Sequence, residues 1–261
     1  MARSSYYYHV KQLGKPDKYA FVKKEIFRIY EENQKRVGYR RITLELKNRG
    51  HNINHKTVQH LTRELGLFCR VRIKRYNSYR GELGETAPDL LQRNFKATQP
   101  NEKWVTDVTE FALFGQKLYL SPVLDLFNGE IVSYSLSYHP RFAQTIDMLE
   151  KAFQKIPEGT NLILHSDQGW QYQMRQYQKM LKAKGVRQSM SRKGNCLDNA
   201  VMENFFGILK TELLYLQEFE SMKHFAKELV EYLDYYNHRR IKQKLKGMSP
   251  VHFRIHTLQT A

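Results

Sequence analysis

Apolar positions recur at helical spacing in the first part of the chain and switch to alternation near its middle. Over residues 18–35, Phe21, Ile26, Phe27, Ile29 and Tyr30 supply most of one apolar stripe, and Gly38 breaks it. A second helix is predicted from Tyr39 to Arg49, with Ile42 and Leu46 one turn apart and Gly50 as its stop. Asn54 is a good N-cap for a third helix through Leu65. On it Val58, Leu61 and Leu65 turn inward, while Lys56, Gln59, His60 and Arg63 turn outward. Two short helices joined by a tight turn, the second with polar side chains able to reach base edges, fit a helix-turn-helix. Residues 70–75, Arg-Val-Arg-Ile-Lys-Arg, then alternate basic and apolar like a short strand or extended arm. Residues 77–103, with Gly81, Gly84, Pro88 and Pro100, show little periodicity beyond a turn of helix over 88–95, and read as a linker.

From Trp104 the period becomes two. Trp104–Phe111, Lys117–Asp125 and Glu130–Ser137 each read as strands, with Gly115 in the first connection and the hairpin dipeptide Asn128-Gly129 in the second. A helix is expected over Phe142–Gln154, a short buried strand at Leu162–Leu164, a helix over Gln171–Lys184 and a last strand at Val186–Ser189. After a polar loop over residues 190–197, helices follow at Asp198–Leu214 and Met222–Asn237. Three antiparallel strands, then helix, strand, helix, strand, helix, is the order of a ribonuclease H-like α/β fold. It predicts a mixed five-stranded sheet with flanking helices and the first strand central, preceded by a small all-α domain. The expected division is 1–70 helix-turn-helix, 71–102 linker, 103–222 catalytic core and 223–261 basic helical extension.

Charge sharpens this. Lys and Arg total 43 against 26 Asp and Glu, a formal net of +17. Residues 1–100 hold 22 basic and 9 acidic side chains, residues 101–222 hold 13 and 14, and residues 223–261 hold 8 and 3. A nearly neutral middle between basic ends suggests a core with two arms for a polyanion, nucleic acid first, because each neutralised phosphate releases a counterion. A merely soluble basic surface is the plainer alternative. No apolar run is long enough to span a membrane and the first residues lack the apolar core of a secretory signal, so a cytoplasmic, nucleoid-associated protein is expected. Two cysteines, Cys69 and Cys196, without ligand spacing argue against a disulfide scaffold or a zinc site.

Three acids stand out. Asp107 falls inside the first predicted strand, Asp167 just past the fourth, and Glu203 in the long helix. A carboxylate within a strand otherwise built of Trp, Val, Thr and Phe is costly unless paired or bound to metal. Three such acids at one sheet end demand a divalent cation, and hard oxygens suit magnesium or manganese. Taken singly, each reads as an ordinary surface acid.

The motifs Trp104-Val-Thr-Asp107-Val-Thr, Lys117-Leu-Tyr-Leu-Ser-Pro-Val-Leu-Asp125 and His165-Ser-Asp-Gln-Gly169 bring a family into view. So do Ser191-Arg-Lys-Gly-Asn-Cys-Leu-Asp-Asn-Ala200, Glu203-Asn-Phe-Phe-Gly-Ile-Leu-Lys210, Val37-Gly-Tyr-Arg-Arg-Ile42 and Gly247-Met-Ser-Pro-Val-His-Phe-Arg254. Thirty-five residues separate Asp167 from Glu203, and a lysine follows seven after the Glu. Over nearly its whole length the chain resembles bacterial insertion-sequence transposases of the retroviral-integrase-like DDE class, specifically the second-frame (OrfB) product. The resemblance implies that Asp107, Asp167 and Glu203 bind two magnesium or manganese ions and catalyse DNA cleavage and strand transfer. It implies double-stranded DNA as partner (terminal repeats and target), a homo-oligomer on DNA, and a first-frame (OrfA) fusion or partner. A DNA-binding regulator without activity is the alternative.

Lys210 lies two helical turns from Glu203 and is expected at the phosphate or base beside the cleavage point. Asn199, one turn before Glu203, either braces the carboxylate, touches DNA, or with Asp198 simply starts the helix. Arg40, Arg41, Lys56, Gln59, Arg63, Arg239 and Arg240 are expected DNA contacts. Tyr6–Tyr8 and the aromatic and basic run 235–246 read equally as base-stacking surfaces or as Tyr rings packed beneath Lys and Arg stems. A histidine at 165 is more often structural than catalytic.

Overall fold

Over residues 17–69, three helices, α1 (Ala20–Glu32), α2 (Tyr39–Asn48) and α3 (His55–Glu64), build the described part of the N-terminal unit. Ile26, Ile29, Tyr30, Val37, Ile42, Leu46, Val58 and Leu61 form its core, which is the predicted stripe on each helix. The Asn54 carboxamide accepts from the Lys56 N–H at 2.9 Å and caps α3. Gly50, at φ +85°, ends α2 in a left-handed turn that a β-carbon would strain. Arg49 clamps α1 to α2 by reaching Glu32 at 2.5 Å and Glu45 at 2.9 Å.

The structure, a computed structural model, describes residue 3 and residues 17–69, 86–192 and 196–260. The chain divides into two units, Met1–Cys69 and Arg70–Ala261. The Tyr6–Tyr8 run, the 70–75 arm and residues 77–85 of the stretch read as a linker lie outside the described residues, as does the loop at 193–195.

The second unit holds a mixed sheet of β1 (Lys103–Thr106), β2 (Thr109–Leu113), β3 (Gln116–Asp125), β4 (Ile131–Ser137), β5 (Ile163–Ser166) and β6 (Arg187–Met190). β3 pairs antiparallel with β1, β2 and β4, whereas β1–β5 and β5–β6 are parallel. Among the described residues this makes six strands, not the five expected, because the strand read as Trp104–Phe111 breaks at Asp107–Val108. The register carries straight across the break, Thr106 facing Val123 and Thr109 facing Leu120, so Asp107 falls opposite Pro122. Proline has no N–H for a ladder, and Asp107 Oδ1 takes the Val108 N–H at 2.7 Å.

Alternation along the strands sorts two cores. Trp104, Val123 and Leu164 face α4 (Phe142–Phe153) and α5 (Arg175–Lys184), with Met148, Leu149, Tyr177 and Leu181. Val105, Leu124 and Ile163 face α6 (Ala200–Leu209) and α7 (Met222–His238), with Met202, Phe205, Leu229 and Tyr232. By the same period, Asp107 and Asp167 belong to the α6 face. The expected helix 198–214 is three pieces: a 3-10 turn at Cys196–Asn199, α6, and a π-helical turn at Lys210–Leu214. In the stretch read as linker, Leu91 is buried in the α6-side core, and the Leu90 N–H reaches Ser189 Oγ at 2.9 Å.

The C-terminal helices belong to this architecture. α7 lies in the core, and from α8 (Pro250–Thr260) Arg254 binds the buried Asp125 and Glu130, the latter at 3.0 Å. Arg240, expected on DNA, is corrected by the structure: its guanidinium is 4% exposed and grips Glu212 with two bonds of 2.7 Å. Tyr232 Oη donates to the same carboxylate at 3.0 Å, and the Arg240 guanidinium lies over the Tyr236 ring. Tyr235 and Tyr236 are buried, which is the packing alternative for that run. Removing one member of a buried ion pair leaves the other as an uncompensated charge in the core. Arg240→Met is therefore expected to lower stability by about 3–5 kcal/mol, read from urea unfolding, with much of that deficit recovered in Arg240→Met/Glu212→Leu.

Candidate active site

The site begins with register. Lys103, Trp104 and Val105 of β1 pair with Ile163, Leu164 and His165 of β5 in parallel. One constant offset then sets Asp107 beside Asp167, each just past the C-terminal end of its strand. Adjacent strands lie about 4.8 Å apart, so two like charges become neighbours. Burial pushes the Asp107 carboxyl well above its ordinary value, and the charges of Asp167 and then Glu203 push it further. Burial also raises Asp167.

Local geometry fixes both acids. Asp167 Oδ1 accepts the Gly169 N–H at 2.9 Å. A β-carbon on Gly169 would stand 2.9 Å from that same oxygen, so the close turn needs glycine. Glu203 sits half-buried in the first turn of α6, where the helix dipole favours an anion. Asn199 joins the pieces: its Nδ2 donates to Asp107 Oδ2 at 3.0 Å, while its buried Oδ1 has no hydrogen-bond partner among the described residues. Its side chain makes no helix-capping bond, and the carboxylate it reaches is that of Asp107 rather than that of Glu203 one turn on.

Asp198 instead is completely enclosed and bound by Arg192 Nε at 3.0 Å and Arg93 Nε at 2.9 Å. Those bonds, Arg192 first, hold its carboxyl far below the usual range. Nothing in the sequence points to Arg93, which lies in the stretch read as a linker. Lys210 places its Nζ 5.7 Å from the Phe111 ring centre, and the Glu110 carboxyl is lowered chiefly by its bond to Tyr119, then by Lys117, with the Lys210 charge adding least. In the N-terminal unit Arg40, Lys56 and Arg63 are exposed and Gln59 is half-buried. Arg41 donates to the Arg36 carbonyl at 3.2 Å. Arg239 is exposed, 5.7 Å from the Tyr235 ring centre and 3.6 Å from Asp234.

The donor set is carboxylate and carboxamide oxygen, which suits a hard divalent cation. The mutual repulsion of the acids and the orphaned Asn199 Oδ1 are relieved by such a charge. Among the described residues, however, no three Asp, Glu, His or Cys side chains already stand close enough to hold a metal.

Two segments match the integrase core domain, residues 97–196 and 203–258, and residues 16–75 match an HTH-like domain. A protein of Escherichia coli K12 named as the putative transposase InsK of insertion sequence element IS150 is 59% identical, over 98% of this chain and 90% of its own length. The chain belongs to the insertion-sequence transposases. A second relative, the transposase of IS904 from Lactococcus lactis, is 37% identical to this transposase over 86% of the chain and 90% of its own. The catalytic core of HTLV-2 integrase, solved in complex with magnesium, is 19% identical, with a TM-score of 0.49 over 61% of this chain and 99% of that one. Among the described residues, no helix of the transposase is long and apolar enough to cross a membrane.

The raised Asp107 carboxyl has a consequence for stability. A folded-state value above the unfolded 3.8 means that the folded chain holds a proton that the unfolded chain has released. Stability contributed by the group therefore declines as pH rises from about 4 upward. In EDTA, Asp107→Asn is expected to melt above wild type at pH 7, with the gap narrowing as pH falls toward about 4. Thermal scans at several pH values check this.

Proposed function

We propose that the transposase cleaves duplex DNA at the ends of its mobile element and joins the freed 3′-hydroxyl to a target strand. Asp107, Asp167 and Glu203 hold two magnesium or manganese ions in this reading. The observation that carries it is the parallel β1–β5 register, which sets two desolvated aspartates side by side, with Asn199 bringing the start of the Glu203 helix onto one of them. When bound, the cations polarise the scissile phosphate and ease deprotonation of the attacking hydroxyl. The protein keeps the acids oriented, through Gly169 for Asp167 and Asn199 for Asp107, and needs no side-chain nucleophile. A regulator that no longer reacts is disfavoured, since it has no use for acids held at such electrostatic cost.

In the same reading the helices of the N-terminal unit dock on DNA, with Arg40, Arg41, Lys56, Gln59 and Arg63 reaching the duplex. Lys210 and Arg239 bind phosphates near the cut. The homo-oligomer on DNA and the first-frame partner implied by the family resemblance complete the proposal, together with a cytoplasmic location on the nucleoid.

Supercoiled plasmid, incubated with purified wild type or Glu203→Gln and magnesium, manganese or EDTA, tests the chemistry. Nicking is expected only for wild type with metal, and equal nicking by the variant overturns the assignment. For docking, Lys56→Ala/Arg63→Ala is expected to flatten the log-affinity against log-salt slope by about 0.9 for each phosphate that is no longer neutralised, measured by fluorescence anisotropy. An unchanged slope removes these side chains from the interface.

A further inference from the structure

His165 lies inside β5, completely buried, two residues before Asp167. Both ring nitrogens are engaged. Nε2 stands 3.0 Å from the Asp198 carbonyl oxygen, and Nδ1 stands 2.8 Å from Ser189 Oγ, the register partner on β6. A carbonyl only accepts, so Nε2 carries the proton and donates. Nδ1 then accepts from the Ser189 hydroxyl, whose oxygen itself accepts the Leu90 N–H at 2.9 Å. The chain of donors runs one way, from Leu90 through Ser189 and His165 to Asp198, and it fixes the neutral ring in one tautomer and one orientation. Desolvation lowers the imidazole's basicity, in keeping with that neutral form.

The end of this chain is where the site needs it. Asp198 directly precedes Asn199, whose Nδ2 donates to Asp107. Four residues after Asn199 comes Glu203. The Asp198 carboxylate is tied on its other side by Arg93 and Arg192. Two strands and one helix start are therefore closed into a ring of hydrogen bonds: β1 through Asp107 to Asn199, and the Asp198 carbonyl through His165 back to β5, which pairs with β1. Removing the His165–Asp198 bond opens that ring at a link from the sheet to the backbone of the helix start.

We infer that His165 is a positioning residue for the transposase reaction: by holding the Asp198 carbonyl it sets the Asn199 carboxamide on Asp107 and the first turn of α6 against the two strand ends. It touches neither DNA nor the reacting phosphate. The inference rests on the proposed role of the three acids, and it states more, because it assigns their registration to a residue outside the triad. Its specific content is that the Nε2 position matters, and not merely the bulk of the ring.

Two near-isosteric variants separate these. A glutamine at 165 can present its side-chain N–H near the Nε2 position, whereas an asparagine reaches only as far as Nδ1. His165→Gln is expected to nick supercoiled plasmid with manganese within about threefold of wild type. His165→Asn is expected to fall by about 100-fold, the scale of an ångström of misplacement in a site, with anisotropy showing DNA affinity unchanged. A second readout needs no metal. The side-chain amide signals of Asn199, assigned by their disappearance in Asn199→Ala, are expected to move in the spectrum of His165→Asn and to stay in that of His165→Gln. The inference is overturned if His165→Asn nicks like wild type, or if both variants fall together, which reports general damage to the core. It is equally overturned if the Asn199 signals ignore both substitutions. Should wild type nick no better than Glu203→Gln while the Asn199 signals follow the expected pattern, the catalytic reading of the acids fails and the hydrogen-bonded positioning of Asn199 stands.

Discussion

Two aspartates that repel each other are held side by side, and much of the second unit is organised around that repulsion. Parallel pairing of β1 with β5 forces the proximity, since one register offset carries from Lys103–Ile163 through to Asp107–Asp167. Among the described residues, neither acid is compensated by a basic side chain within hydrogen-bonding reach. Polar groups from glycine and asparagine take that place: the Gly169 N–H on Asp167 and the Asn199 amide on Asp107. A neutral donor orients a carboxylate without cancelling its charge, and so leaves the charge available for a cation. The contrast with Asp198, neutralised by two arginines in the same unit, shows that the chain can quench an acid where none is wanted.

The strand break at Asp107 follows from the same requirement. An unbroken β1–β2 strand would keep its backbone in the ladder. Opposite Pro122 that demand is relaxed, and Asp107 can turn its carboxylate back on the next N–H. The sheet remains continuous because β3 spans the break, pairing with both β1 and β2. Helices on both faces then bury the strands, as a sheet with parallel pairs at its centre requires.

The elements that hold this site are largely legible in the sequence, and for physical reasons. The α1–α3 stripes, the Asn54 cap and the alternation after Trp104 are local patterns that need no tertiary information to read. Asp107 is visible because an acid inside an apolar strand is conspicuous, whereas Asp167 and Glu203, ordinary acids when taken singly, are picked out by the motifs that carry the family resemblance and by their spacing. What stays hidden depends on tertiary pairing. Arg240 looks like one more cation in a basic run, and only the fold brings Glu212 beneath it. The split of the first strand depends on the identity of the residue across the ladder. Asn199 has several local readings, and the choice among them depends on where β1 ends. His165 shows its connections only once β6 and the helix start are in place.

The bond from Arg254 to Asp125 spans 129 residues. Asp125 closes β3, the strand that every antiparallel pairing in the sheet shares, and its carboxyl is fully buried. Until Arg254 has left the ribosome, that position is an acid enclosed without its counterion, which a closed sheet tolerates poorly. The centre of the scaffold is thus completed by a side chain synthesised long after the strand it stabilises.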